Sequence, residues 1–149
     1  LKLKNDTLVH RDFHVSNLMK YKKKLAVIDT QDALIGNKAY DLASLIDDVR
    51  LRSNKKLKID IYNYYLKLHK NKINKAILLS DFEILSVIRN MKIIGIFTRL
   101  AVRDKKLKYL KLIPNAWRLI ELRIENNAIF NNLKKLLDLN FPKKIRNFK

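Results

Sequence analysis

Two residues five positions apart, Asp12 and Asn17, carry side chains suited to chemistry within His10-Arg11-Asp12-Phe13-His14-Val15-Ser16-Asn17. A second acid, Asp29, closes the apolar run Leu25-Ala26-Val27-Ile28. A carboxylate beside an acceptor hydroxyl can take its proton, and a carboxamide with a second carboxylate supplies hard oxygen ligands for magnesium. That set suits phosphoryl transfer, which is mostly positioning and charge neutralisation. The spacing carries the signal: an acid, four intervening residues, an asparagine, then a β-like run ending in Ile-Asp.

These residues need a frame, and composition bounds it. With 149 residues the chain reads as one domain, over residues 1–149, or as part of a larger one, and it is long enough to bury a core. A hydrophobic fraction of 48% argues for globular structure over disorder. The absence of cysteine removes disulfides and thiolate metal sites. No apolar run approaches the roughly 20 residues of a membrane span, and the N-terminus lacks a signal peptide's apolar core. The expectation is a cytoplasmic protein without a membrane partner.

A formal charge of +19 invites a nucleic-acid reading. The lysines argue against it. They are scattered through Lys22-Lys23-Lys24, Lys55-Lys56, Lys105-Lys106, Lys134-Lys135 and Lys143-Lys144, not gathered into one aromatic-interleaved stripe. With abundant asparagine and isoleucine and only two glycines and two prolines, they fit the drift of an AT-rich coding sequence.

Periodicity predicts an α+β chain, mainly α, with β structure confined to residues 1–30. Thr7-Leu8-Val9 reads as a strand, and Asn17 to Tyr21 with Leu25 to Ile28 as a hairpin turning at Lys22-Lys23-Lys24. A loop is expected through Gly36-Asn37, then a helix started by Asp41. Further helices are expected over Lys58 to His69 and about Ser80 to Val102, the latter opened by a Ser80/Glu83 capping box. Its apolar face would be Phe82, Leu85, Ile88, Met91, Ile94 or Gly95, and Thr98. One long helix is expected after Pro114, through Trp117 and Ile129 to Leu136. Pro142 would end regular structure ahead of a basic tail. Trp117 reads as a core aromatic and His69 as a solvated helix-end residue.

The segments His10-Arg11-Asp12 to Asn17, Val27-Ile28-Asp29-Thr30-Gln31-Asp32-Ala33 and Tyr40-Asp41-Leu42-Ala43-Ser44-Leu45 resemble the aminoglycoside phosphotransferase and choline kinase-like family. Gly95-Ile96-Phe97-Thr98-Arg99-Leu100 to Arg103-Asp104 and Tyr109-Leu110 look like the branch acting on cell-wall amino sugars at the anomeric hydroxyl, N-acetylmuramate and N-acetylglucosamine. The similarity runs from about Leu8 to about Leu122. It implies the C-terminal lobe of a protein-kinase-like fold, with a small β-hairpin region on a helical subdomain. It also implies ATP as phosphoryl donor and Mg2+ as cofactor. Carried over by position, Asp12 would be the catalytic base, Asn17 and Asp29 the metal ligands, and His10 and Asp41 supports of the loop. His14, Asp32 and Arg99 are candidate substrate contacts. Gln31 stands where some relatives carry a further acid.

Both glycines, Gly36 and Gly95, lie downstream of this segment, so the chain holds no Gly-rich phosphate loop. The expectation is a catalytic half whose nucleotide-binding lobe is absent, either a fragment or a split gene product completed by a separate N-terminal lobe chain, and inactive alone. Two other readings stand beside it: an inactive kinase-fold remnant serving as an interaction module, and a basic nucleic-acid-binding helical protein. A zinc site on His10 and His14 is rejected, because β-rich surroundings do not put them on one helical face.

Overall fold

The computed structural model describes residues 3–69, 72–125 and 127–147. It is a mostly helical α+β structure that packs as two compact units, Leu1–Leu85 and Ser86–Lys149. All β structure lies in the first unit. Strand β1 (Thr7–Val9) pairs antiparallel with β4 (Leu34–Gly36), in the register Thr7↔Gly36, Leu8↔Ile35, Val9↔Leu34. Strands β2 (Leu18–Tyr21) and β3 (Lys24–Val27) form a separate hairpin in the register Leu18↔Val27 to Tyr21↔Lys24. Its two-residue turn puts Lys22 at φ 53°, a left-handed conformation for which lysine is poorly suited.

The expected strand and hairpin are present, but the loop expected through Gly36-Asn37 is instead partly strand. Three residues of β4 are too few to show alternation, and their pairing is set by a strand far upstream, Gly36 facing Thr7 and Leu34 facing Val9. Gly36 is there for space. A Cβ on it would meet Val9 Cγ2 at 2.7 Å, inside any tolerable contact.

Helix α1 (Ala39–Ile46) begins two residues before Asp41. Asn37 Oδ1 accepts from Ala39 N at 2.9 Å, so a neighbouring residue serves the exposed helix amides and Asp41 is left to bond elsewhere. Helix α2 (Lys55–Leu68) is capped by Asn54, whose side chain accepts from Leu57 N. Helix α3 (Lys75–Val102) starts five residues ahead of the predicted Ser80, because Asn74 Oδ1 accepts from Ala76 N and Ile77 N. His69 stands at the C-cap of α2, half-buried, with Nδ1 against Tyr65 O at 3.0 Å.

The core of this unit is Ala39, Leu42, Ala43 and Ile46 of α1 against Leu78, Phe82 and Leu85 of α3. Phe82 meets Tyr62 edge-on at 5.6 Å between centroids. The expected face of α3 holds only as far as Leu85. Beyond it Ile88, Met91, Gly95 and Thr98 are exposed, and Val87, Phe97 and Ala101 are buried instead.

In the second unit, a 3-10 segment (Leu107–Leu112) leads into α4 (Ile113–Ile124), which buries Ile113, Ala116, Trp117, Leu119 and Ile120. The single long helix expected after Pro114 is interrupted. Asn127 Oδ1 accepts from Ile129 N, starting a 3-10 turn (Ala128–Phe130) ahead of α5 (Asn131–Asn140). Nor is the C-terminal segment merely a basic tail. Pro142 introduces α6 (Lys143–Arg146), and buried Arg146 bonds Glu121 at 3.0 Å and Asp138 at 2.7 Å while lying over the Trp117 ring. No helix among the described residues is long and apolar enough to cross a membrane.

Candidate functional site

The segment from His10 to Asn17 leaves β1 and enters β2 through a 3-10 turn (Val15–Asn17). Two positive-φ residues shape the surroundings: Arg11 at φ 72° beside Asp12, and Asp29 at φ 69° just after β3. Such left-handed positions bring short polar side chains back toward their own loops, and they cluster at functional sites.

Asn17 is the hub. It is buried, and its Nδ2 donates to the carbonyl of Asp12 at 3.0 Å and lies 3.4 Å from Asp29 Oδ2. Its backbone carbonyl accepts from Ile28 N at 3.1 Å. His10 ties the same two stretches together from behind, with Nε2 2.9 Å from Ile28 O. A carbonyl can only accept, so Nε2 carries the proton. The structure thus ties the backbone at Asp12 and the Asp29 carboxylate to one side chain, that of Asn17.

Asp41 holds the loop's entry. Its two oxygens accept separately, Oδ2 from His10 N at 2.6 Å and Oδ1 from Arg11 N at 3.0 Å. These charge-assisted bonds fix the backbone on either side of the turn into Asp12.

The donor set suits a magnesium ion. Two ligands, each about 2.0–2.1 Å from one ion, lie no more than about 4.2 Å apart; here the 3.4 Å approach is of the Asn17 nitrogen to Asp29 Oδ2, so the carboxamide oxygen would have to turn toward the carboxylate to share an ion. With Nδ2 engaged by Asp12, the carboxamide oxygen is the atom of Asn17 that a cation would take. Gln31 shapes the second ligand: its Nε2 donates to Asp29 Oδ1 at 2.6 Å, which leaves Oδ2 on the Asn17 side. Among the described residues no group of three His, Cys, Asp or Glu side chains could hold a metal ion.

The other candidates fall outside this cluster. His14 stands at the N-cap of the 3-10 turn, with its backbone N–H donating to Asp12 O at 2.9 Å. Asp32 is exposed in the turn that leads to β4. Arg99 belongs to the second unit, on an open apolar groove of about 560 Å³ with Met91, Gly95, Thr98 and Trp117.

One residue that sequence reasoning passed over is Asp48. It stands just beyond α1, buried, and its Oδ2 accepts from Val15 N at 3.1 Å. The available signal was spacing: Asp48 follows Asp41 by seven positions, two helical turns, in a strongly basic chain.

Residues 2–70 match the phosphotransferase enzyme family. Over 142 residues the chain is 28% identical to an N-acetylmuramate/N-acetylglucosamine kinase of Caulobacter vibrioides, covering 92% of this chain and 39% of that protein. A protein of the same name from Neisseria meningitidis serogroup B is 38% identical over 111 residues, 71% of this chain and 33% of its own length. A third, from Pseudomonas aeruginosa, is 31% identical over 134 residues, 87% of this chain and 40% of that protein. The chain therefore spans two fifths or less of the curated relatives it matches. The chain thus resembles the phosphotransferase enzyme family through a segment that contains Asp12, Asn17 and Asp29, and kinase-named relatives align along most of its sequence.

Proposed function

We propose that the chain supplies the catalytic C-terminal lobe of an ATP-dependent amino-sugar kinase, acting on the anomeric hydroxyl of N-acetylmuramate or N-acetylglucosamine. The observation that carries this reading is the tether of Asn17 between the Asp12 carbonyl and the Asp29 carboxylate. It joins the loop that carries Asp12 to the strand end that carries Asp29, and a base with two oxygen ligands is what the reaction would require of this side of a site.

In this reading Asp12 orients the sugar hydroxyl and accepts its proton. The oxygen–phosphorus bond to the γ-phosphoryl group forms as the bond to the leaving ADP breaks. Anomeric hydroxyls are more acidic than ordinary alcohols, so a carboxylate is an adequate base when the proton moves late. Asn17 and Asp29 would hold Mg2+, which when bound neutralises charge on the phosphates. Asp41 and His10 keep the loop from drifting, and Gln31 holds the Asp29 carboxylate in one orientation. A nucleotide-binding lobe, in the same polypeptide or another, would cover the adenine and fix the phosphates. Arg99 remains a candidate sugar contact.

The test is formation of sugar phosphate from ATP, Mg2+ and either sugar, followed by 31P NMR. The protein used joins this chain to the complementary portion of the Neisseria meningitidis kinase. Product that disappears on Asp12→Asn supports the reading, and product unaffected by that change removes Asp12 from it.

A further inference from the structure

The loop carrying Asp12 and Asn17 is held from behind by two acids, and each holds a different end. Asp41 accepts from His10 N and Arg11 N, on the Asp12 side. Asp48 accepts from Val15 N, the first amide of the 3-10 turn that ends in Asn17. Nothing in the sequence reading or the family resemblance gives Asp48 a role. From its position we infer that Asp48 is a positioning residue that sets the orientation of Asn17, and through it the affinity of the site for its divalent cation. The inference rests on the proposed reading of Asn17 as a metal ligand.

Three observations carry it. Asp48 is 3% exposed, so its carboxylate is dry and its bonds are not exchanged for water at little cost. Its two oxygens are both engaged: Oδ2 by Val15 N at 3.1 Å, and Oδ1 by Arg50 N at 3.0 Å with the Arg50 guanidinium 3.4 Å away. The acid is therefore held rigidly by its own local turn while it holds the loop. Its platform is fixed as well. The preceding residue, Asp47, is paired with Lys58 Nζ at 2.6 Å, and the same ammonium bonds Ile46 O at 2.7 Å.

The consequence for Asn17 is geometric. A 3-10 turn of three residues has few internal bonds, so its first amide needs an outside acceptor to stay ordered. Asn17 N donates to His14 O, and Asn17 Nδ2 donates to Asp12 O, so a turn that tilts at Val15 carries the carboxamide with it. Asp41 holds the residues before Asp12 and leaves that turn to Asp48. Supporting partners of metal ligands typically alter affinity by 10–100-fold when removed. Acting through one backbone bond, Asp48 belongs at about the tenfold end of that range.

The test uses 15N-labelled chain and Mn2+ as the probe. Line broadening at the Asn17 side-chain amide and the Asp29 backbone amide reports metal binding, and amide hydrogen exchange reports loop order. Asp48→Asn keeps the shape but removes the charge. Val15→Pro removes the N–H donor and leaves the Asp48 charge in place: His14, at φ −128° and ψ 166°, already has the extended backbone that a following proline requires, and the first position of a helical turn accepts proline. Asp41→Asn is the comparison at the other end of the loop. Both Asp48→Asn and Val15→Pro should raise the Mn2+ midpoint about tenfold. They should also speed exchange at Ser16 and Asn17 while core amides of α1 and α3 stay within about threefold, since local opening is separate from global unfolding.

Unchanged Mn2+ midpoints with unchanged exchange at Ser16 and Asn17 would overturn the inference. So would exchange that rises equally throughout the unit, as it would for a purely structural acid. Loss of Mn2+ affinity in Asp41→Asn as large as in Asp48→Asn would overturn the division of labour between them. If the unsubstituted chain shows no broadening at Asn17 or Asp29, the magnesium reading fails. The link from Asp48 to cation affinity fails with it, and exchange at Ser16 and Asn17 still shows whether Asp48 orders the turn.

Discussion

Lys58→Met keeps the stem of a buried side chain and removes its charge. The lysine Nζ donates to Asp47 Oδ1 at 2.6 Å and to Ile46 O at 2.7 Å, and Asp47 has no exposed surface. Water cannot take the place of the ammonium without opening the unit. Breaking a buried pair on one side typically costs about 3–5 kcal/mol, because the remaining charge loses a partner that water does not replace. The carbonyl of Ile46 also loses its partner at the C-terminal end of α1, which adds about 1 kcal/mol. A unit of this size is stable by only about 4–13 kcal/mol at 0.05–0.15 kcal/mol per residue. The substitution should therefore remove a large share of it and lower its Tm by more than about 12 °C, at 4–8 °C per kcal/mol for a domain of this length. Urea unfolding followed by far-UV circular dichroism, with exchange at α1 and α2 amides, measures the loss. Adding Asp47→Asn removes the carboxylate that the ammonium faced, so the double variant should lose less than the sum of the two single losses. The reasoning is refuted if Lys58→Met costs less than about 1 kcal/mol, or if the double variant loses the sum of the two single losses.

Gly36→Ala should destabilise the β1–β4 pair by about 1–3 kcal/mol, because the new methyl group meets Val9 Cγ2 at 2.7 Å and buried Val9 has little room to move; urea midpoints check it. Lys22→Asn should stabilise the hairpin by about 0.5–1 kcal/mol, since φ 53° suits asparagine better than lysine, and slower exchange in β2 and β3 would record it. Burial, and secondarily Asp41, raises the Tyr65 hydroxyl pKa above its usual 10.0. The stability this group contributes is fully present below pH 10 and is lost as pH rises through the higher folded value, so Tyr65→Phe should soften the alkaline decline in Tm.

The segment from His10 to Asp29 stood out because phosphoryl transfer asks for particular residue types at fixed spacing, and the hairpin between Asn17 and Asp29 was readable from its two short runs. Strand β1 and the β2–β3 hairpin followed from short runs of strand-favouring residues on either side of a lysine turn. Strand β4 did not, since Leu34-Ile35-Gly36 becomes a strand only through its pairing with Thr7-Leu8-Val9. Helix starts depended on which of several asparagines, serines and acids won the cap. Asn37, Asn54 and Asn74 did so through hydrogen bonds that Asp41 and the Ser80–Glu83 pattern equally suggested. The exposed run Ile88, Met91 and Thr98 shows that an apolar period marks a face without saying what covers it. Arg146 and Asp48 stayed hidden because their partners, Glu121 and Asp138 for one and Val15 for the other, are fixed by tertiary packing.

The central claim is that Asp12, Asn17 and Asp29 make up the acceptor-and-metal side of a phosphotransfer site. Its most direct measurement is kcat for sugar phosphorylation, with a nucleotide lobe joined to this chain, for the unsubstituted protein and for Asp12→Asn matched in Tm. The account predicts amino-sugar phosphate from the former and a loss of about 10²–10⁴-fold in the latter, the range for removal of a general base. Turnover by Asp12→Asn within a few-fold of the unsubstituted protein, or no phosphorylated sugar from a fusion that folds and binds Mg2+–ATP, would contradict it.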